Sequence, residues 1–183
     1  MKEKRNPLAE QSRKWLTEAL LTLMKEKDYS EITVTEIAER ALLSRRTFYR
    51  AFSAKEDVLK EYFHNMCKEY VGSFERGRDY SIGEIAEIFF GFWEERIDFL
   101  ILLQKNHLFY YLLEEFNKVL PSLHNYVRSD QEEYGSPMEL KIALLASAGA
   151  LWNILAEWIN MENRPGPKEM SFILIKGIER KSL

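Results

Sequence analysis

The chain has 183 residues, room for one domain or two small ones, and 46% of them are hydrophobic and 13% aromatic, enough for a substantial core. Charged residues make up 30%, the net charge is −3, and no uninterrupted apolar run reaches the roughly 18 residues of a membrane span. The single Cys67 excludes an intrachain disulfide and has no metal-ligand partner nearby, so a reducing cytoplasm is the expected location.

Basic residues at the N-terminus (Met1 to Pro7) have no apolar stretch behind them, so no signal peptide is expected. The charge is unevenly spread. Residues 1–60 hold 13 Lys and Arg against 10 Asp and Glu, whereas residues 61–183 hold 13 against 19. A mildly basic head on an acidic body suits a nucleic-acid-binding module joined to a domain that avoids nucleic acid.

Helical signals fill the chain, and nothing reads as a strand. The first helix is expected over about 7–27, with Trp15, Leu16, Ala19, Leu20 and Leu23 as its apolar stripe. Two short helices follow, at about 34–41 and 45–51. A fourth runs from Ser53 to about Gly77, long enough to connect two modules. Helical periodicity resumes at Ile82 and continues, with breaks near Arg96 and Asn106, to about Glu133; Pro121 is expected to end or kink a helix. Two longer helices close the chain at about 137–161 and 167–181, separated by a loop rich in proline and glycine. Four S/T-x-x-E capping boxes mark helix starts: Thr33–Glu36, Ser53–Glu56, Ser81–Glu84 and Ser136–Glu139.

The segment Thr33 to Lys55 carries the chemistry. Ile37, Ala38 and Ala41 give the second helix an inner face; Leu43, Phe48 and Phe52 do the same for the turn and the third helix. That leaves Arg45, Arg46, Thr47, Tyr49 and Arg50 facing outward. An arginine fork matches the O6/N7 edge of guanine, and a threonine methyl suits thymine. Tyr49 and Lys55 suit phosphate oxygens, and so do hydroxyls at helix starts, such as Thr33.

This segment resembles the DNA-binding domain of TetR/AcrR-family bacterial regulators. The shared residues are Thr33-Val34, Ile37-Ala38, Ser44, Thr47-Phe48-Tyr49, Phe52 and Lys55-Glu56, followed by Leu59. The match covers roughly residues 10–63. The family turn reads A-G-V-S, whereas this chain has Ala41-Leu42-Leu43-Ser44. Leucine adopts positive φ less readily than glycine, so a slightly reshaped turn is expected at Leu42.

The resemblance implies an all-α protein of about nine helices. Residues 1–53 would form a three-helix helix-turn-helix DNA-binding domain. Residues 54–183 would form a helical effector-binding and dimerisation domain, with the helix over 54–77 as connector. It implies a cytoplasmic homodimer on a roughly palindromic double-stranded operator, with Thr33, Thr35, Ser44, Arg45, Arg46, Thr47, Tyr49, Arg50 and Lys55 at the DNA. The function expected is that of a transcriptional repressor released by an unknown small apolar or amphipathic effector.

Aromatic residues crowd the region from Phe89 to Tyr126. Within and beside it, Phe92, Trp93, His107, Phe109, Tyr110 and Trp152 are the candidate effector contacts. Leu140, Leu144, Ser147, Leu151, Ile154, Trp158 and Met161 step by four and three, as in a heptad seam. The resemblance implies dimerisation through the last two long helices, so Leu140, Leu144, Leu151, Ile154, Trp158, Ile173 and Ile178 are the candidate interface. The alternative, an internal core helix, stays open.

No nucleophile elbow, phosphate loop or paired-carboxylate site points to an enzyme. His64, His107 and His124 lack metal-ligand spacing, and no cofactor or membrane partner is expected. A rival reading keeps the fold but acts through a protein partner. Such a chain should lose the basic residues of the third helix, and this one has three arginines there.

Overall fold

The computed structural model describes residues 7–127 and 135–179. All regular structure among them is helical. In chain order the helices are α1 Pro7–Glu26, α2 Val34–Arg40, α3 Arg45–Ala51, α4 Lys55–Val71, α5 Ile82–Glu94, α6 Ile97–Lys105, α7 Phe109–Val127, α8 Pro137–Trp158 and α9 Pro167–Glu179, with one 3-10 turn at Tyr29–Glu31. The helicity expected over 128–133 and the end expected near 181 lie outside the described residues.

The helix starts follow the side chains that cap them. Thr33 and Ser81 form complete capping boxes with Glu36 and Glu84, and Ser136 accepts from the Glu139 N–H with Pro137 at the first helical position. The box expected at Ser53–Glu56 does not form. Asp57 takes its place, its carboxylate accepting from the backbone N–H groups of Ser53 and Ala54 at 3.1 and 3.0 Å. A shorter side chain set one residue further along reaches the same orphan donors.

Two other boundaries differ from expectation. Helix α4 ends at Val71 rather than near Gly77, because Gly72 follows and the N–H groups of Ser73 and Phe74 turn back to Tyr70 and Val71. Helix α7 runs through Pro121 without ending there. The proline removes one backbone donor, but Leu120, His124 and Val127 on the buried side carry the helix past it.

The chain divides into two compact units, residues 1–65 and 66–183, and the division falls inside α4. It lies later than position 53 because Lys55 and Glu61 are bonded into the first unit. The first unit packs α1, α2 and α3 on a core that includes Leu16, Leu20, Met24, Ile37, Phe48 and Phe52. Trp15, expected in the apolar stripe of α1, is 45% exposed; Ser12 is buried instead, its hydroxyl donating to the Leu8 carbonyl.

The second unit is built on aromatic rings. Phe89 meets Tyr70, Phe116 and Trp152 edge to face, and Trp93 lies 5.2 Å from Trp152 between ring centroids. Helix α9 packs along α5, where the Ser171 hydroxyl donates to the Gly83 carbonyl at 2.6 Å. The Trp158 indole donates to the Pro165 carbonyl at 2.8 Å, and Arg164 donates to the carbonyls of Trp158 and Ile159, closing the end of α8. Cys67 is buried, and burial together with the Glu115 carboxylate pushes its thiol up to about 12. It is an inert core thiol at neutral pH.

Candidate nucleic-acid interface

Helices α2 and α3 are set at a fixed angle by the turn between them. The Leu43 N–H donates to the Ala38 carbonyl at 2.8 Å, and the Leu42 N–H donates to Glu39 at 3.0 Å. This is the Schellman arrangement, which requires a left-handed residue just past the helix. Leu42 supplies it with φ 55°, although its side chain is 93% exposed and gains no burial in return. Leucine resists positive φ, yet Leu42 adopts it. The backbone takes the left-handed form and the leucine accepts the strain. The same motif ends α6, where His107 takes φ 58° and the Leu108 N–H returns to Leu103.

Ser44 caps α3, accepting from the Thr47 N–H at 3.1 Å, and its hydroxyl lies 2.9 Å from that of Thr47. Phe48 is fully buried and pins the helix to the core, with Tyr49 edge to face against it and half exposed. Arg45, Arg46 and Arg50 are all exposed. None of them has an ion-pair or hydrogen-bond partner among the described residues. The other described arginines of this unit are committed. Arg40 grips Glu26 with two bonds of 2.7 Å, and Arg13 is bonded to Glu61. Three free guanidinium groups thus stand on one short helix.

Other expected DNA residues are already engaged. The Thr33 hydroxyl donates to Glu36 at 2.8 Å, so its single donor is taken by the cap. Lys27 and Thr33 together hold the Glu36 carboxyl down to about 2, the Lys27 hydrogen bond first. Thr35 is half-buried on α2. Lys55 departs furthest from its expected role. Its ammonium donates to the carbonyls of Tyr29, Ser30 and Ile32 at 2.7, 3.2 and 2.8 Å and lies 4.5 Å from the centre of the Tyr29 ring. An ammonium has three donors, and all three are used within the protein. Burial lowers its pKa, opposed by the charge of Glu56. Lys55 therefore ties the loop before α2 to the start of α4 and is not a free phosphate contact.

In the second unit, the candidate effector residues separate into two groups. Phe92, Trp93 and Trp152 are buried, and Phe109 is half-buried with its ring 5.3 Å from that of Trp152. Tyr110 is 66% exposed, and His107 is exposed at the left-handed end of α6, so neither faces the aromatic interior. Tyr70 and Phe74 join the cluster from α4 and the turn after it, a contribution the sequence did not reveal. The indole N–H groups of Trp93 and Trp152 are buried without a hydrogen-bond acceptor among the described residues.

Of the candidate dimer residues, Trp158 is fully buried and bonded to Pro165, so it cannot meet a partner. Leu140, Leu144, Leu151 and Ile154 are half-buried, while Ile173 and Ile178 are exposed. The outward apolar residues of α8 are instead Met138, Ile142 and Leu145, with Ala146 and Ala150 beside them. Phe172 of α9, 65% exposed, was not foreseen. The strict heptad steps onto Trp158, whereas Met138, Ile142 and Leu145, the exposed apolar residues of α8, lie off that seam. By length and mean hydropathy (1.3 over 18 residues) α8 is also apolar enough to cross a membrane, and only 17% of that window is buried within the chain.

Residues 16–62 match the model of bacterial regulatory proteins of the TetR family. This N-terminal stretch resembles the TetR family of bacterial regulatory proteins. The match spans the helix-turn-helix unit described above, from α1 into the first part of α4. The HTH-type transcriptional regulator AlkX of Mycobacterium tuberculosis is 30% identical over 90 residues, which cover 47% of this chain and 43% of that protein. The alignment thus takes in less than half of this curated TetR-family relative. A TetR transcriptional regulator from Streptococcus agalactiae 2603V superposes with TM-score 0.59 at 23% identity, over 93% of this chain and 95% of that one. The dihydroxyacetone kinase operon activator DhaS superposes with TM-score 0.57 at 21% identity and the same coverage. At these identities the two structures establish a shared fold.

Proposed function

We propose that the protein is a sequence-specific DNA-binding transcriptional regulator that reads a duplex through α3. The observation that carries this reading is the set of three exposed, unpaired guanidinium groups of Arg45, Arg46 and Arg50. They stand on a helix locked in place by Phe48 and a Schellman turn. Arginine forks left free of internal partners suit guanine edges and phosphates. Thr47 and Tyr49 complete the outward surface. Thr33, Ser44 and Lys55 serve chiefly to hold the helices.

The working form is a cytoplasmic homodimer whose two-fold matches that of a roughly palindromic operator. The exposed apolar residues of α8 and α9 support this reading, because large uncovered apolar patches mark interaction surfaces. Lys141, Asn153 and Glu157, exposed on the same helix α8, favour a protein partner over lipid.

The aromatic interior of the second unit is the proposed effector site. An apolar molecule carrying a hydrogen-bond acceptor would satisfy the two indole N–H groups. Such a ligand lowers DNA affinity when it binds better to a form that fits the operator less well. The proposed output is repression relieved by this ligand.

The test is selection from a random duplex pool by the purified full chain. Enrichment of one inverted repeat supports the reading. If no sequence is enriched while the protein pulls a specific polypeptide from its host, action through a protein partner takes its place.

A further inference from the structure

We propose that Arg13, on α1, is the positioning residue that sets the aim of α3. The proposal rests on the DNA-reading role given above. The Arg13 guanidinium has three partners on two other elements. One nitrogen donates to the Glu61 carboxylate on α4 at 2.6 Å. Another donates to the carbonyl of Ala51, the last residue of α3. The guanidinium also lies over the ring of Phe52, 4.5 Å from its centroid, and Phe52 is the buried residue that closes α3.

A seven-residue helix does not hold its own orientation. Ser44 fixes the start of α3 and Phe48 its middle. The carbonyls of the last turn have no partner within the helix, and Arg13 satisfies one of them while placing positive charge at the negative end of the dipole. With Phe48 as the pivot, displacement of Ala51 swings Arg45 and Arg46 at the other end, roughly 9 Å away along the axis. Bidentate contact with a base edge tolerates little of that movement. Lysine cannot replace the arrangement, because it offers a point charge where arginine offers a planar fork that bonds in two directions and stacks at once. Glu61 lies on α4, so Arg13 ties the end of α3 to α4 as well as to α1.

The experiment uses the full chain, the duplex that wild type selects from a random pool, and a scrambled duplex of the same composition. Arg13→Met should raise Kd for the selected duplex roughly tenfold to hundredfold. It should change Kd for the scrambled duplex by less than about threefold, with the salt slope unaltered, because phosphate contacts are untouched. Arg13→Lys should restore only part of the selectivity. Glu61→Gln should lose less than Arg13→Met, and the double variant should be no worse than Arg13→Met alone. Equal losses on both duplexes, or unchanged selectivity in a folded variant, would overturn the role. If Arg13→Met does not fold, wild-type selectivity in both Arg13→Lys and Glu61→Gln overturns it equally. A wild-type protein that enriches no duplex removes the DNA reading itself, and this role falls with it.

Discussion

Leu42 shows how much a single position can carry. A left-handed backbone costs a leucine about 1–2 kcal/mol relative to glycine, while glycine costs the folded state roughly 0.5–1 kcal/mol through the freedom of its unfolded chain. The side chain is almost fully exposed and contributes little packing to set against this. Leu42→Gly should therefore stabilise the protein by about 0.5–1 kcal/mol in urea denaturation, and a loss of stability would show that the exposed leucine has a packing role. Glu36 gives a pH signature. Its carboxyl is lowered from 4.5 to about 2, mainly by Lys27 and then by Thr33. A depressed carboxyl stabilises the fold above its unfolded pKa and loses that contribution as the pH falls through the folded value. Wild type should lose stability between about pH 4.5 and 2 more steeply than Glu36→Gln, the two curves converging at the acid end. Parallel curves would remove Glu36 from the account. The strain at Leu42 was foreseeable from the residue, but its outcome was not. The sequence says that leucine resists positive φ, and only the pair of hydrogen bonds closing the turn shows that the turn prevails.

At the scale of the element, helix starts were legible because caps are local. Thr33, Ser44, Ser81 and Ser136 each act within three residues of themselves. Long-range partners were not legible. Lys55 follows a family pattern that suggests phosphate, and nothing nearby in the chain announces that three carbonyls before α2 converge on its ammonium. Arg13 is likewise unremarkable until α4 brings Glu61 beside it. The reassignment of Lys55 is open to test. Lys55→Met should lower stability by about 1–2 kcal/mol, since three acceptors lose a charged donor in a partly solvated site. The dependence of log K on log salt should stay unchanged. A slope shallower by nearly one would instead mean that Lys55 neutralises a phosphate. Helices α8 and α9 mark the limit of periodicity. The heptad rule selects a stripe, and burial assigns part of it, Trp158 above all, to the core.

For the whole molecule, the all-helical fold and the helix-turn-helix were readable from the sequence, because capping and apolar spacing agree along its length. The aromatic interior was readable in outline only, since composition cannot say which rings stack on each other and which, like Tyr110, face outward. The proposed assembly rests on the apolar residues that α8 and α9 leave uncovered. Ile142→Asp combined with Phe172→Asp should convert a sedimenting dimer to a monomer while leaving helical content intact; an unchanged mass would place the interface elsewhere. The central claim is that α3 reads DNA with its unpaired arginines. The most direct measurement is the affinity of the full chain for its selected duplex, compared with Arg45→Ala and Arg46→Ala. Each substitution should cost about 1–3 kcal/mol on that duplex and relax the preference at the base pair it faces. Wild-type affinity and preference in both variants would contradict the account.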